Sequence, residues 1–168
     1  VIHVSARALA AQSLSIFGDH QDVMACRQTG FAMLATSSVQ EVMDLAGVAH
    51  LSAIKSSLPF VNFFDGFRTS HEINKIKLVD YDMVKELIDE EALNNFRIRA
   101  MSNENFNTRG TAENDDIYFQ NTEVRNKNYI DSVSMIANYM DEVSKITDYD
   151  YKPFNYYGDE YATDVIVA

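Results

Sequence analysis

Residues 31–64, FAMLATSSVQEVMDLAGVAHLSAIKSSLPFVNFF, contain the pattern that decides the fold. The run FAMLAT, residues 31–36, predicts a strand. The run FVNFF, residues 60–64, predicts a strand covered on both faces, because it is continuously apolar. Ser38 and Glu41 have capping-box spacing, which predicts a helix beginning after Ser38. Strand, helix and strand in this order predict an α/β fold with a mostly parallel sheet and helices on both faces.

The segments beside this unit extend it. Residues 1–6 predict another buried strand.

His50 lies next to the apolar stripe of the helix and is interpreted as a packed or rim histidine rather than a catalytic base. Cys26 is interpreted as a small buried hydrophobe rather than a reactive thiol. We expect the stripe to comprise Val39, Val42, Met43, Ala46, Ala49, Leu51 and Ile54.

The pattern changes after residue 79. Residues 82–101 predict one or two helices, for which Asp80 and Asp89 are candidate N-caps. The polar residues 102–127 predict a long irregular excursion on the surface. Residues 129–146 predict an amphipathic helix, since apolar side chains recur at its helical period.

The last twenty residues divide into two parts. Residues 149–161, YDYKPFNYYGDEY, predict an aromatic-rich connector that packs against another part of the protein. Residues 162–168, ATDVIVA, predict a buried strand. Because no further element follows that strand and no initiator Met is present, we expect the chain to be a piece of a longer protein.

Composition and charge exclude several classes of partner. The net charge of −11 lies in residues 80–168, which hold nineteen acids and eight bases, whereas residues 1–79 hold six of each. A surface of this sign repels phosphates, so we expect neither nucleic acid nor an anionic membrane as a partner. The single cysteine excludes an internal disulfide or a self-contained iron–sulfur cluster.

Polar side chains follow all three predicted strands. Arg7 follows the first, Thr36 to Ser38 the second, and Asp65 to Arg68 the third. Ligands of parallel α/β sheets bind at these carboxyl ends. A guanidinium offers a planar fork that binds a carboxylate in two places, so Arg7 is the candidate anion-binding residue. An ion pair within the protein is an equally open interpretation of Arg7.

Two further polar clusters have structural interpretations. Asp19 and Asp22 are both good N-cap residues. We therefore expect a capped helix at residues 22–28 rather than a metal site. For Arg68-Thr69-Ser70-His71-Glu72, we expect Thr69 or Ser70 to cap a helix and Arg68 to pair with an acid. Substrate contact or a subunit interface is the open alternative for this second cluster.

Together, several motifs closely resemble the first domain of the pyruvate:ferredoxin oxidoreductase (pyruvate synthase) family. They are HVSAR (3–7), GDHQD (18–22), RQTGFAML (27–34), SSVQE (37–41), FFDGFRTSHE (63–72) and RGTAENDDIYFQ (109–120). The resemblance covers essentially the whole chain. It implies a thiamine-pyrimidine-type domain over residues 1–148, the connector 149–161, and the first strand of a transketolase C-terminal-like domain in residues 162–168.

The resemblance also implies a function. Family members oxidatively decarboxylate pyruvate with coenzyme A, using thiamine diphosphate, Mg²⁺ and [4Fe-4S] clusters, and reduce ferredoxin or flavodoxin. The arginine of the HVSAR motif, Arg7 here, binds the pyruvate carboxylate in the family. A homodimer with contacts to other domains of the parent chain is implied, in the cytoplasm or in a hydrogenosome-like organelle.

The family's cofactor motifs and cluster cysteines are absent from these residues, so we expect the isolated chain to be inactive. No residue of this chain is expected to bind the cofactor or a metal. Two other interpretations stay open. One is a related 2-oxo acid:ferredoxin oxidoreductase, since Arg7 suits any 2-oxo acid. The other is an assembly module that keeps the fold without catalysis.

Overall fold

The computed structural model describes residues 1–106 and 112–167. Three strands in this part form one sheet in the order β1-β3-β2, and both pairings are parallel. The α/β fold with a parallel sheet is therefore confirmed. The elements are β1 (Ile2–Ala6), α1 (Gln21–Ala25), β2 (Ala32–Thr36), α2 (Val39–Ser56), β3 (Phe60–Asp65), α3 (Arg68–His71), α4 (Tyr81–Glu86), α5 (Glu90–Arg99) and α6 (Asp115–Thr147).

The predicted βαβ unit is present as β2, α2 and β3. The side chain of Ser38 accepts a hydrogen bond from the backbone N–H of Glu41, which confirms the predicted cap. The Glu41 carboxylate accepts a hydrogen bond from the backbone N–H of Ser37 at 2.6 Å. In a capping box it would accept from the N–H of Ser38, the cap itself. Asp80 and Asp89 cap α4 and α5 with their side chains, as predicted.

The face that α2 buries differs from the predicted stripe. Leu45 and Val48 are buried together with the polar side chains of Asp44 and Ser52. The prediction for Ala49 and Leu51 is confirmed, whereas Val39, Val42, Met43, Ala46 and Ile54 are only half-buried. Tyr151 and Gln40 donate hydrogen bonds to Asp44 Oδ2, at 2.5 Å and 2.9 Å. Among the described residues, Asp44 Oδ1 and Ser52 Oγ have no hydrogen-bond partner.

The two faces of the sheet are covered by different elements. Helices α2 and α6 pack on the face that carries Phe60 and Leu34. Val23 of α1 packs on the opposite face, against Ala6 and Phe63. Helices therefore lie on both faces, but α1 has only five residues while α6 has 33.

Helix α6 corrects the prediction for the polar segment. It begins at Asp115, so residues 115–127 are helical rather than irregular. The predicted helix 129–146 is the part of α6 that packs on α2, with Val143 fully buried. Residues 107–111, which belong to the predicted excursion and to the motif 109–120, lie outside the described residues.

The end of the chain differs from the predicted strand. Residues 162–167 form no strand within the described part, and their side chains are exposed, because no neighbouring backbone pairs with them there. Ala168, the last residue of that prediction, lies outside the described residues. In the connector, Tyr151 is buried while Phe154 and Tyr157 are exposed. The division at residues 148 and 161 stays a prediction.

Candidate functional site at the carboxyl ends of the strands

The strand order places the end of β1 beside the end of β3. Ala6 pairs with Asp65, so Arg7 and Gly66 are neighbours although 59 residues separate them in the chain. The segment after Arg7 turns back, with a bridge between Arg7 and Gly18 and a hydrogen bond from Ala8 N to Phe17 O at 3.0 Å. The residues after two strands and the turn at Gly18 therefore form one cluster.

Arg7 is the half-buried cation of this cluster. Its Nε donates to the carbonyl oxygen of Gly66 at 2.9 Å, and its backbone N–H donates to Asp22 Oδ2 at 3.2 Å. Across residues 1–106 and 112–167, no carboxylate oxygen lies within 4.0 Å of its guanidinium, and its terminal nitrogens have no hydrogen-bond partner. From the sequence, both anion binding and an internal ion pair were open for Arg7. Among the described residues, Arg7 forms no ion pair.

Two glycines allow the backbone segments of the cluster to approach closely. A Cβ on Gly66 would collide with the carbonyl oxygen of Ala6 and with Cγ of Arg7. A Cβ on Gly18 would collide with the carboxylate of Asp65. The close packing at this edge of the sheet therefore depends on two positions without a side chain.

Asp65 organises the turn after β3. Its carboxylate accepts backbone hydrogen bonds from Phe67 at 3.3 Å, Arg68 at 2.5 Å and Thr69 at 3.3 Å. Burial raises the pKa of Asp65, but these hydrogen bonds outweigh it and hold the pKa below its ordinary value. Asp65 therefore stays ionised and caps α3, so the prediction that Thr69 or Ser70 caps this helix is wrong.

The side chain of Arg68 is exposed. No acidic partner lies within ion-pair distance of it in the described part of the chain, so the predicted pair is not formed there. Asp65 was missed as the cap because Thr69 and Ser70 are equally good capping residues, but both of them lie inside α3.

The cluster after the first turn has structural roles. Asp19 Oδ1 accepts the backbone N–H of Gln21 at 2.8 Å and so caps the start of α1, which begins one residue earlier than predicted. Asp22 instead binds the backbone of Arg7. Cys26 is exposed, so its predicted burial is wrong: α1 ends at Ala25, and residue 26 lies past the part of the helix that packs on the sheet.

The histidine on α2 lies away from the Arg7 cluster. His50 Nε2 lies 3.1 Å from His3 Nε2, and His3 Nδ1 lies 3.2 Å from Nδ2 of the buried Asn62. Burial, followed by the nearby His3, lowers the pKa of His50. This contact between α2 and β1 agrees with a rim histidine.

A shallow cavity of about 570 Å³ lies between the end of α2, the connection from α4 to α5, and α6. Lys55 at the end of α2 lines it, pairs with Asp89 at 3.3 Å and lies 5.8 Å from the ring centre of Tyr139. Helix α2 starts at the carboxyl ends of the strands and runs towards their amino ends. This cavity, at the end of α2, therefore lies at the opposite end of the strands from Arg7. It contains none of the cluster's residues.

Two absences hold for residues 1–106 and 112–167. No group of three histidine, cysteine, aspartate or glutamate side chains could hold a metal ion. No helix there combines the length and the apolar character that crossing a bilayer requires.

The family comparison matches most of the chain. A family model described as "Pyruvate flavodoxin/ferredoxin oxidoreductase, thiamine diP-bdg" matches residues 1–141. The chain is 56% identical over 168 residues to the pyruvate-flavodoxin oxidoreductase of Enterobacter agglomerans. It is 53% identical over 168 residues to the pyruvate:ferredoxin oxidoreductase of Moorella thermoacetica. It is 50% identical over 168 residues to the pyruvate dehydrogenase [NADP(+)] of Cryptosporidium parvum.

These matches cover all of the chain but only a small part of each relative. The chain spans 14% of the first two proteins and 9% of the third. The chain therefore belongs to the pyruvate flavodoxin/ferredoxin oxidoreductase family, in its thiamine diphosphate-binding domain.

Proposed function

We propose that the chain is part of an oxidoreductase that decarboxylates pyruvate oxidatively and transfers the acetyl group to coenzyme A. In this reaction the C1–C2 bond of pyruvate breaks. Pyruvate and coenzyme A give acetyl-CoA, carbon dioxide, one proton and two electrons, which ferredoxin or flavodoxin accepts. Family membership supports the reaction class. The geometry of Arg7 is the observation that supports a role for this chain in binding the pyruvate carboxylate.

Arg7 has the properties of a carboxylate-binding residue. Its Nε is occupied by the carbonyl of Gly66, and its terminal nitrogens have no hydrogen-bond partner among the described residues. Two parallel N–H donors match the two oxygens of a carboxylate in distance and plane. Half-burial of the guanidinium strengthens such a pair, since less water screens it.

Binding the carboxylate orients the substrate for loss of carbon dioxide. A fixed fork sets the position of the C1 carboxylate and thereby the direction of the C1–C2 bond. The negative charge that Arg7 holds disappears as neutral carbon dioxide forms, so the ion pair weakens along the reaction. Arg7 therefore contributes through orientation, because tight ground-state binding alone adds nothing to the rate of the step.

The described residues do not fit the diphosphate and metal end of thiamine diphosphate. Such a site takes one or two carboxylates together with the phosphate oxygens as ligands of Mg²⁺, and the carboxylate of Asp22 beside Arg7 already accepts two backbone hydrogen bonds. The Asp65 carboxylate is already engaged by three backbone N–H groups. With one cysteine, the chain also cannot ligate a [4Fe-4S] cluster. We therefore place these groups in other parts of a longer, homodimeric parent protein.

The names of the relatives help to order the alternatives. They agree on pyruvate and differ in the electron acceptor, which is flavodoxin, ferredoxin or NADP⁺. Pyruvate is therefore favoured over another 2-oxo acid, although Arg7 suits either. The acceptor, the location in the cytoplasm or a hydrogenosome-like organelle, and the absence of a nucleic-acid partner stay predictions. A non-catalytic assembly module is the alternative of a different class.

The test uses the full-length parent protein under anaerobic conditions. Coenzyme A-dependent reduction of a viologen dye is followed with pyruvate and with 2-oxoglutarate, for the wild type, Arg7→Ala and Arg27→Ala. We expect Arg7→Ala to lower kcat/KM for pyruvate by roughly 10- to 150-fold, the value of a hydrogen bond to a charged group. Arg27→Ala removes an exposed arginine that precedes β2 and so lies away from the carboxyl ends of the strands, and it should change kcat/KM by less than about two-fold.

Each other outcome has a definite meaning. Wild-type activity in Arg7→Ala would reject the carboxylate role and leave only the family assignment. Equal losses in both arginine variants would indicate a general effect of charge. A preference for 2-oxoglutarate would favour the related 2-oxo acid enzyme, and no turnover of either acid would favour the module.

A further inference from the structure

Both backbone polar groups of Gly66 form hydrogen bonds with residues at the end of β1. Its backbone N–H donates to the carbonyl of Ala6 at 2.7 Å, and its carbonyl accepts from Arg7 Nε at 2.9 Å. Gly66 is also buried. The arginine side chain is therefore held to the backbone of the turn that follows β3, which is itself fixed by the carboxylate of Asp65.

The requirement for glycine at this position is one of space. The positive-φ glycines of the described chain are Gly30 and Gly158, so Gly66 has a backbone angle that other residues also adopt. A Cβ there would overlap the Ala6 carbonyl oxygen and Cγ of Arg7. A side chain at residue 66 would thus displace the same arginine that the carbonyl of this residue holds.

We propose that Gly66 is a positioning residue for Arg7, an inference that rests on the proposed function and deepens it. Its carbonyl fixes Nε and therefore the plane of the guanidinium, while its missing Cβ leaves room for the arginine stem. The two terminal nitrogens are then presented together to the carboxylate of a 2-oxo acid. Gly66 acts only through Arg7 and has no role in contacting the substrate.

The physical argument concerns how accurately the fork is placed. A guanidinium that is tethered only by its flexible stem samples many orientations, and binding must remove that freedom. A hydrogen bond to Nε removes it before the substrate arrives. Because a misplacement of about 1 Å can cost about 100-fold in rate, displacement of the fork should affect both affinity and turnover.

The test compares Gly66→Ala with Gly47→Ala in the full-length protein. Gly47 lies in α2, where an added Cβ would meet Val84 at 3.3 Å and would not touch Arg7. The readouts are the dissociation constant of oxamate, an unreactive isostere of pyruvate, and kcat/KM for pyruvate. We expect Gly66→Ala to weaken oxamate binding and to lower kcat/KM by about 10- to 100-fold. Gly47→Ala should leave both within about two-fold.

A double-mutant cycle separates positioning from a general structural effect. In an Arg7→Ala background, Gly66→Ala should lower oxamate affinity by less than about three-fold further, since the residue through which it acts is gone. An equal loss in both backgrounds would overturn the proposal while leaving the role of Arg7 intact. Unchanged oxamate binding in Arg7→Ala itself would instead reject the proposed function.

Arg7→Lys keeps the proposal testable if Gly66→Ala does not fold. Lysine retains the charge but has neither Nε nor a planar fork. We expect this variant to retain less than about a tenth of the wild-type kcat/KM, with oxamate binding weakened to a similar extent. Wild-type affinity and turnover in Arg7→Lys would show that anchoring at Gly66 is irrelevant and would overturn the proposal.

Discussion

The two faces of the central sheet receive very different cover. On the face that carries Phe60, the described residues bury a cluster of eleven hydrophobic residues, to which the sheet, α2, α6, Leu58 and Tyr151 contribute. On the face that carries Phe63, they bury a cluster of four, to which the sheet and the short helix α1 contribute. Arg7 directly follows Ala6, which belongs to the smaller cluster.

This comparison teaches that the stability of the fold and the geometry of the site depend on different interactions. The larger cluster stabilises the sheet through the burial of apolar surface. The site beside the smaller cluster is fixed by hydrogen bonds from Arg7 to Gly66 and Asp22, and by two glycine contacts. A substitution can therefore weaken one of these properties and leave the other nearly intact.

The largest expected effect contrasts two phenylalanines of the same strand. Phe60 and Phe63 are both almost fully buried, but they face opposite sides of the sheet. We expect Phe60→Ala to lower the free energy of unfolding by about 3–5 kcal/mol, because a cavity under two helices cannot collapse. Phe63→Ala should cost about 1–2 kcal/mol less, since the thinner layer can relax around the cavity.

Urea denaturation of the 168-residue chain measures both changes. Leu34→Ala and Val61→Ala give a second pair on the two faces, with smaller side chains. Equal losses for Phe60→Ala and Phe63→Ala would contradict the comparison, because they would show that both faces resist collapse to the same degree.

An intermediate effect is expected from the polar contact within the larger cluster. Tyr151 donates to Asp44 at 2.5 Å, and Asp44 is only 2% exposed. Tyr151→Phe removes this donor and leaves a buried carboxylate less well satisfied, which should cost about 1–3 kcal/mol in urea denaturation. Tyr149→Phe is the control, since that tyrosine is exposed. A loss in Tyr149→Phe as large as that in Tyr151→Phe would refute this interpretation.

The same tyrosine predicts a dependence on alkaline pH. Burial raises the pKa of Tyr151 above its ordinary value, and the hydrogen bond to Asp44 acts in the same direction. The unfolded chain therefore loses this proton first, so the stability that Tyr151 contributes is complete below about pH 10 and decreases above it. Urea midpoints at pH 8 and pH 10.5 should differ less in Tyr151→Phe than in the wild type.

The smallest effect is expected at the rim of the well-covered face, where His50 of α2 contacts His3. Because the pKa of His50 is lowered in the folded chain, the unfolded chain binds a proton first as the pH falls. Its contribution is therefore present above about pH 6.5 and lost at lower pH. The urea midpoint should fall slightly between pH 7.5 and pH 5.5, and less so in His50→Gln. An unchanged pH dependence in His50→Gln would disprove the assignment.

The local parts of the fold could be predicted from the sequence because their signals are local. Continuous apolar runs identified β2 and β3, and the spacing of Ser38 and Glu41 identified the start of α2. The first half of α6 was missed because its apolar residues do not recur at helical spacing among the Asn, Thr and Glu residues. Its side chains, such as Phe119 and Val124, are exposed, so no packed face had to be encoded there.

The site could be predicted only in part. Arg7 was identified by its position after a strand, and the resemblance gave it a role that stays a proposal. Its contact with Gly66 has no local signal, because the two residues meet only after β1 pairs with β3. The buried Asp44 was missed for a similar reason, since its partner Tyr151 lies 107 residues away.

The strand order has a consequence for how the chain is made. β2, α2 and β3 are consecutive and can assemble as soon as β3 is made, whereas β1 precedes them in the chain and, among the described strands, pairs with β3 alone. At a synthesis rate of about 5–20 residues per second, the partner of Arg7 emerges roughly 3–12 seconds later. During that interval β1 lacks the strand with which it pairs. The residue proposed to hold the substrate is thus translated before the residue that anchors it, and it reaches its place only when β3 has formed.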